Sequence, residues 1–122
     1  MVVKRTGPTN YFLRKVIRKL KKASRVYNAK IWEVISEKLA SPSRKRVAVN
    51  LSRIERYVKD GEYALVPGKV LGAGSIKRPI TIVAFSFSAQ AKKKIEQAGG
   101  KCLTIEDFID INPRGSNTRI IG

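Results

Sequence analysis

The hydrophobic pattern divides the chain into two differently organised parts. Over the first 40 residues, apolar positions recur at helical spacing. Leu13, Val16, Ile17 and Leu20 form one stripe in YFLRKVIRKLKKAS, which Asn10 is placed to cap. Ile31, Val34 or Ile35, and Leu39 form a second stripe in AKIWEVISEKLA, with Asn28 as its expected cap and Ser41-Pro42 as its stop. Trp32 sits in this second helix as either a core anchor or a stacking platform, and a lone aromatic favours the core.

Beyond residue 41 the apolar runs shorten and strands are expected. Val47-Ala48-Val49 is followed by a third helix, LSRIERYVKD, capped by Asn50, buried through Leu51, Ile54 and Val58, and stopped at Gly61. Tyr63 to Val66 reads as a strand that Pro67-Gly68 turns. Val70-Leu71 continues into a glycine loop, Gly72-Ala73-Gly74, and Ile80 to Phe87 reads as the central buried strand. Ser88 caps a helix ending at Gly99-Gly100. Lys101-Cys102-Leu103 is a short strand, and Thr104 with Asp107 suggests a capping box for IEDFIDI, which Asn112-Pro113 ends. The tail from Arg114 is expected to lie on a partner or on the core. A chain of 122 residues with this pattern makes one domain: a basic arm over 1–8, then a single domain over 9–122, helical over 9–40 with the core and tail over 41–122.

Charge changes the picture. Lys and Arg number 26 against 9 acids, a formal net charge of +17. A domain this basic is expected to sit on a polyanion. Ten basic residues precede the first acid, Glu33, so the first helix carries Arg14, Lys15, Arg18, Lys19, Lys21, Lys22 and Arg25 unmixed. A membrane-lying helix competes with this reading, but the apolar stripe is narrow and aliphatic. Ser43-Arg44-Lys45-Arg46 is a dense basic loop that Arg53 extends; Lys92, Lys93 and Lys94 read as a partly solvated run.

Candidate chemistry narrows it further. The chain has no histidine and one cysteine, Cys102, which removes the commonest general base and any internal disulfide, fits a reducing compartment, and leaves a buried structural thiol. No signal-peptide segment or membrane span is evident, so a cytosolic protein is expected. The glycine loop fails the phosphate-loop pattern, because Gly68-Lys69 is followed by Val70 where a hydroxyl is needed. It also fails the dinucleotide pattern, because Lys77 stands where a third glycine belongs. Glu106, Asp107 and Asp110 suit a helix N-terminus better than a metal. The loop is then a surface where phosphate approaches backbone N–H groups, flanked by Lys69, Lys77 and Arg78, or else a plain hairpin connection. No helix-turn-helix, zinc-finger or aromatic RNA-recognition motif is present, and dispersed cations suit the irregular surface of folded RNA. A basic DNA-binding protein is the runner-up, and a phosphate-handling enzyme using Lys69 is a third reading.

Four segments occur in order: Leu39 to Arg46 (LASPSRKR), Val49 to Ile54 (VNLSRI), Val66 to Gly74 (VPGKVLGAG) and Ala84 to Ser88 (AFSFS). They resemble the archaeal and eukaryotic large-subunit ribosomal protein family eighteen-e, whose core is similar to the bacterial large-subunit protein fifteen. The resemblance runs from about Thr9 to Ile121, and the length fits the archaeal members. It implies an α/β fold: a small single domain of irregular strand-strand-helix turns with an N-terminal helical arm. It implies a structural role in the large subunit with no catalytic activity and no cofactor. The implied partners are large-subunit ribosomal RNA and neighbouring ribosomal proteins, with large-subunit protein four a candidate. No membrane or small-molecule substrate is expected. The matched motifs carry Arg44, Lys45, Arg46, Asn50, Arg53, Lys69, Lys77 and Arg78 over as RNA contacts, while Lys4, Arg5, Arg14, Arg18 and Arg119 rest on charge alone.

Overall fold

The computed structural model describes residues 11–40 and 47–121. The arm over 1–8, the Asn10 cap and the Ser41-Pro42 stop lie outside the described residues. The chain forms a parallel five-stranded sheet with helices on both faces. Helices α1 (Tyr11–Val26) and α2 (Lys30–Leu39) are followed by strand β1 (Val47–Asn50), α3 (Leu51–Tyr57), β2 (Tyr63–Leu71), β3 (Thr81–Phe87), α4 (Ala89–Gln97), β4 (Lys101–Thr104), α5 (Ile105–Ile111) and β5 (Thr118–Ile120). The strands run in the order β1-β2-β3-β4, and β5 pairs with the first half of β2 while β1 pairs with its second half.

Alternation along the strands splits the core in two. Ala64, Val66, Ile82 and Ala84 face a cluster with Leu51, Ile54 and Val58 of α3 and its end, and with Ala91 and Ile95 of α4. Leu65 and Val83 face the opposite cluster, with Val16, Ile17 and Leu20 of α1, Ile35 and Leu39 of α2, and Ile105, Phe108 and Ile109 of α5. Steps from β1 to β4 move one way across the sheet and keep α3 and α4 on one face. The return from β4 to β5 reverses direction, so α5 must lie on the other face to keep the same crossover hand. The N-terminal helices thus complete a three-layer α/β domain. Trp32 is fully buried here, edge-on to Phe108 at 5.8 Å, and its indole N–H donates to the carbonyl of Pro113 at 2.6 Å.

Several local expectations hold. Ser88 accepts from the N–H of Ala91, and Thr104 accepts from that of Asp107. The helix α4 closes through Gly99 and Gly100, whose N–H groups reach back to the carbonyls of Glu96 and Ile95.

Others are corrected. Asn28 does not cap α2. It sits at φ 51° just past α1, and Ala29 takes the N-cap position without a side-chain bond. Asparagine tolerates this left-handed geometry, so it ends the first helix. Asn50 occupies the N-cap of α3 but makes no capping bond through its side chain. Pro67-Gly68 is not a turn: β2 runs through it, and the register with β3 shifts between Val66 and Lys69. The tail, by contrast, lies on the core, one of its two expected places: it forms β5, and Ile121 is buried.

The glycine segment is not a hairpin either, because β2 and β3 are parallel. Residues 72–80 return the chain from the end of β2 to the start of β3 with no helix. Nine residues reach at most ~30 Å extended but only ~14 Å as a helix, and the strand length to be retraced is ~20 Å, so this crossover has no room to be helical. It runs beside α3, which fills the place that a crossover helix would take.

Candidate nucleic-acid interface

The helix-free crossover has to be held in place, and cations do much of this. Arg78 donates from Nε to Glu55 at 2.7 Å and from one terminal nitrogen to Asp60 at 2.7 Å. Its other terminal nitrogen donates to the backbone carbonyls of Glu55 and Val58, at 2.8 and 2.7 Å. Those carbonyls belong to the open end of α3, where four acceptors lack helical partners. The N–H of Lys77 donates to the Glu55 carboxylate at 2.9 Å. That bond first, and the Arg78 guanidinium after it, hold the Glu55 carboxyl below the ordinary carboxylate range against the opposing effect of burial. On the other side, the ammonium of Lys94 donates to the carbonyls of Gly72 and Gly74, both at 2.8 Å.

The glycines serve this packing. Gly74 has φ +88°, and a Cβ there would stand 2.6 Å from that of Ser52; a Cβ on Gly72 would stand 2.8 Å from Gln90. Close approach to α3 and α4 is the physical reason for glycine here. The expected exposure of loop N–H groups to a phosphate is not needed to explain it. Lys94, read from sequence as partly solvated, is the residue that sequence reasoning missed. Its partners lie 20 and 22 positions away, and no local signal marks them.

The remaining cations fall into separate patches. On α1 the buried row of Val16, Ile17, Leu20 and Ala23 turns the opposite side outward. Arg14, Arg18, Lys21 and Arg25 lie along that side at helical spacing, flanked by exposed Lys15 and Lys22. Lys19 leans onto α5, meeting Asp110 at 3.5 Å and the carbonyl of Glu106 at 3.3 Å. Arg18, Lys21, Lys22 and Arg25 have no ionic or hydrogen-bonding partner among the described residues.

A second patch lies on the sheet. Val49 and Val70 pair and point into the α3–α4 core, so Ala48, Asn50 and Lys69 project from the other face, where they are exposed. Ala48 is the register partner of Lys69. Arg44, Lys45 and Arg46 lie outside the described residues, but the chain leaves that segment at Val47, opposite Gly68 and next to Lys69. Lys4 and Arg5 also lie outside the described residues.

A third patch is a shallow hollow lined by Arg53, Tyr57, Arg119, Ile120 and Ile121. Here Arg119 meets Glu62 at 3.3 and 3.4 Å. Lys77 is exposed on the crossover, away from these. The structure therefore brings Arg14 with Arg18, Asn50 with Lys69, and Arg53 with Arg119, and it binds Arg78 internally. Cys102 is half-buried against the α3–α4 cluster, and burial pushes its thiol up.

Residues 26–103 match the family model of the ribosomal proteins 50S-L15, 50S-L18e and the 60S protein twenty-seven-A. The large ribosomal subunit protein eL18 of Methanococcus maripaludis is 50% identical over 119 residues, covering 98% of this chain and 99% of that protein. The protein of the same name from Methanopyrus kandleri is 49% identical over 121 residues, 95% of each chain. That of Methanothermobacter thermautotrophicus is 44% identical over 120 residues, 98% of this chain and 99% of the relative.

Proposed function

From the premise that this chain belongs to the large ribosomal subunit protein family eL18, a structural constituent of the cytoplasmic ribosome and not an enzyme, we propose that it binds and stabilises folded large-subunit ribosomal RNA. The observation that carries this reading is the outer side of α1. Arg18, Lys21, Lys22 and Arg25 project from one helix with no acid on it and no partner among the described residues. Uncompensated charge at this density repels itself and is relieved by a polyanion.

The patches lie on both faces of the domain, which suits shape recognition through phosphates and 2′-hydroxyls at several points more than one groove. Asn50 and Lys69 with Arg44, Lys45 and Arg46 make the second contact region of this reading, Arg53 and Arg119 the third, and Lys77 an additional contact. Arg14 extends the α1 surface, and Lys4 and Arg5 are further contacts of this reading, on charge alone.

The test is a salt titration of binding to large-subunit ribosomal RNA fragments, with duplex DNA as competitor. The logarithm of the affinity should fall with log salt by roughly 0.7–0.9 per phosphate neutralised, and the RNA should win the competition at physiological salt. Equal competition by duplex DNA would instead support a general basic DNA-binding protein. Among neighbouring proteins, large-subunit protein four is proposed as a contact on the family resemblance. Cross-linking in intact subunits, with this chain recovered joined to it, is the check.

A further inference from the structure

We propose that the hollow at the end of α3 takes a single unstacked RNA base against the ring of Tyr57; this rests on the RNA-binding reading above. Tyr57 is 51% exposed, in the last turn of α3, and its phenol has no partner among the described residues. A large aromatic left open to water on a short helix is not serving the core, which α3 reaches through Leu51 and Ile54.

The surroundings match one nucleotide. Arg53 stands one helical turn before Tyr57, so both side chains share a side of α3 and line the same hollow. Arg53 has no partner among the described residues, which leaves its charge for a phosphate. Across the hollow, the guanidinium of Arg119 is held by Glu62, whose carboxylate also accepts from the N–H of Lys59 at 2.8 Å. Its charge is thereby balanced, and what it offers is a planar face. The end of β5, Ile120 and Ile121, forms the floor, with Ile121 packed into the α3–α4 core beneath it. A phenol ring, a flat guanidinium and a cation with no partner among the described residues suit a π-face with an attached phosphate. A duplex cannot present that face without unstacking, so the ligand is an unpaired nucleotide of a loop or bulge.

The experiment compares the full chain with its Tyr57→Leu and Tyr57→Phe variants for binding to large-subunit ribosomal RNA across a salt series. Leucine keeps apolar bulk and removes the ring, so affinity should drop about tenfold with an unchanged salt slope, because no charge is lost. Phenylalanine keeps the ring and should restore most of the loss. Ultraviolet irradiation of large subunits containing the chain should join RNA to the peptide that holds Tyr57. Wild-type affinity in Tyr57→Leu, with binding still salt-dependent, would overturn the base site and leave the RNA reading standing. A cross-link from Tyr57 to protein in place of RNA would also overturn it. Absence of salt-dependent RNA binding by the wild-type chain would overturn both.

Discussion

The outer side of α1 and the α3–crossover–α4 side of the sheet carry the same residue types with opposite fates. On α1, seven basic residues lie on sixteen positions, and five of them, Lys15, Arg18, Lys21, Lys22 and Arg25, find no partner among the described residues. Around the crossover, Arg78 makes four hydrogen bonds and Lys94 two, all to the backbone or to acids of α3 and its following turn. The difference lies in what each cation stands beside. A guanidinium next to the open carbonyls of a helix end, or an ammonium next to two loop carbonyls, is consumed in holding the chain. A cation on the outer side of a helix docked by its apolar stripe meets only water until a partner arrives. Counting lysines and arginines therefore overstates the surface available to RNA, and the position of backbone acceptors corrects the count.

Breaking the crossover tests the first half of this comparison most severely. Gly74→Ala places a Cβ against Ser52 at a backbone angle that L-residues rarely adopt. It should destabilise the fold by about 3 kcal/mol, read by urea denaturation. Arg78→Ala should follow at about 2 kcal/mol, since two α3 carbonyls and Glu55 lose a charged donor at a partly exposed site. Below its melting transition, that variant should keep the wild-type salt slope for RNA binding. A slope reduced by one contact would show Arg78 facing phosphate and would blur the contrast.

The α1 side predicts the reverse. Replacing Arg18, Lys21 and Arg25 together with alanine should change stability by less than about 1 kcal/mol, because all three are exposed and alanine favours helix. The salt slope should fall by roughly 2–3, with a loss of affinity of about tenfold at physiological salt. A wild-type slope in this triple variant would move the main RNA surface to the sheet patch or to the basic segment before β1.

What the sequence made legible follows from range. Periodicity placed Val16, Ile17 and Leu20 in the core, and short-range chemistry marked Ser88, Thr104 and Gly99 correctly. Each of those signals is complete within a few residues. The misplaced features need partners far along the chain. The tail reads as lying on a partner or on the core without a strand, because β5 has only three residues and is made a strand by β2. Pro67-Gly68 has a local turn signature, yet pairing with β1 and β3 carries the strand through it. Arg78 and Lys94 read as surface cations until the fold sets Arg78 against the end of α3 and Lys94 against the crossover. Asn28 fits either end of a helix by type, and only its φ decides.

The smallest effect separates the two regions by pH. The Glu55 carboxyl is held below its ordinary value of 4.5, first by the N–H of Lys77 and further by Arg78. A carboxyl with a depressed folded value stabilises the fold above the ordinary value, and that contribution fades as pH falls through the folded value. Acid should therefore loosen the crossover side first. Glu55→Gln keeps an acceptor for Lys77 but removes the charge opposite Arg78. At neutral pH it should be less stable than wild type by under about 1 kcal/mol, given that the pair is partly exposed. At a pH well below the ordinary value, the gap between the two should shrink, because the wild-type carboxyl is then gaining its proton as well. Urea titrations at the two pH values read this directly. A gap that stays constant would mean that the shape of the side chain, and not its charge, is what Arg78 and Lys77 recognise.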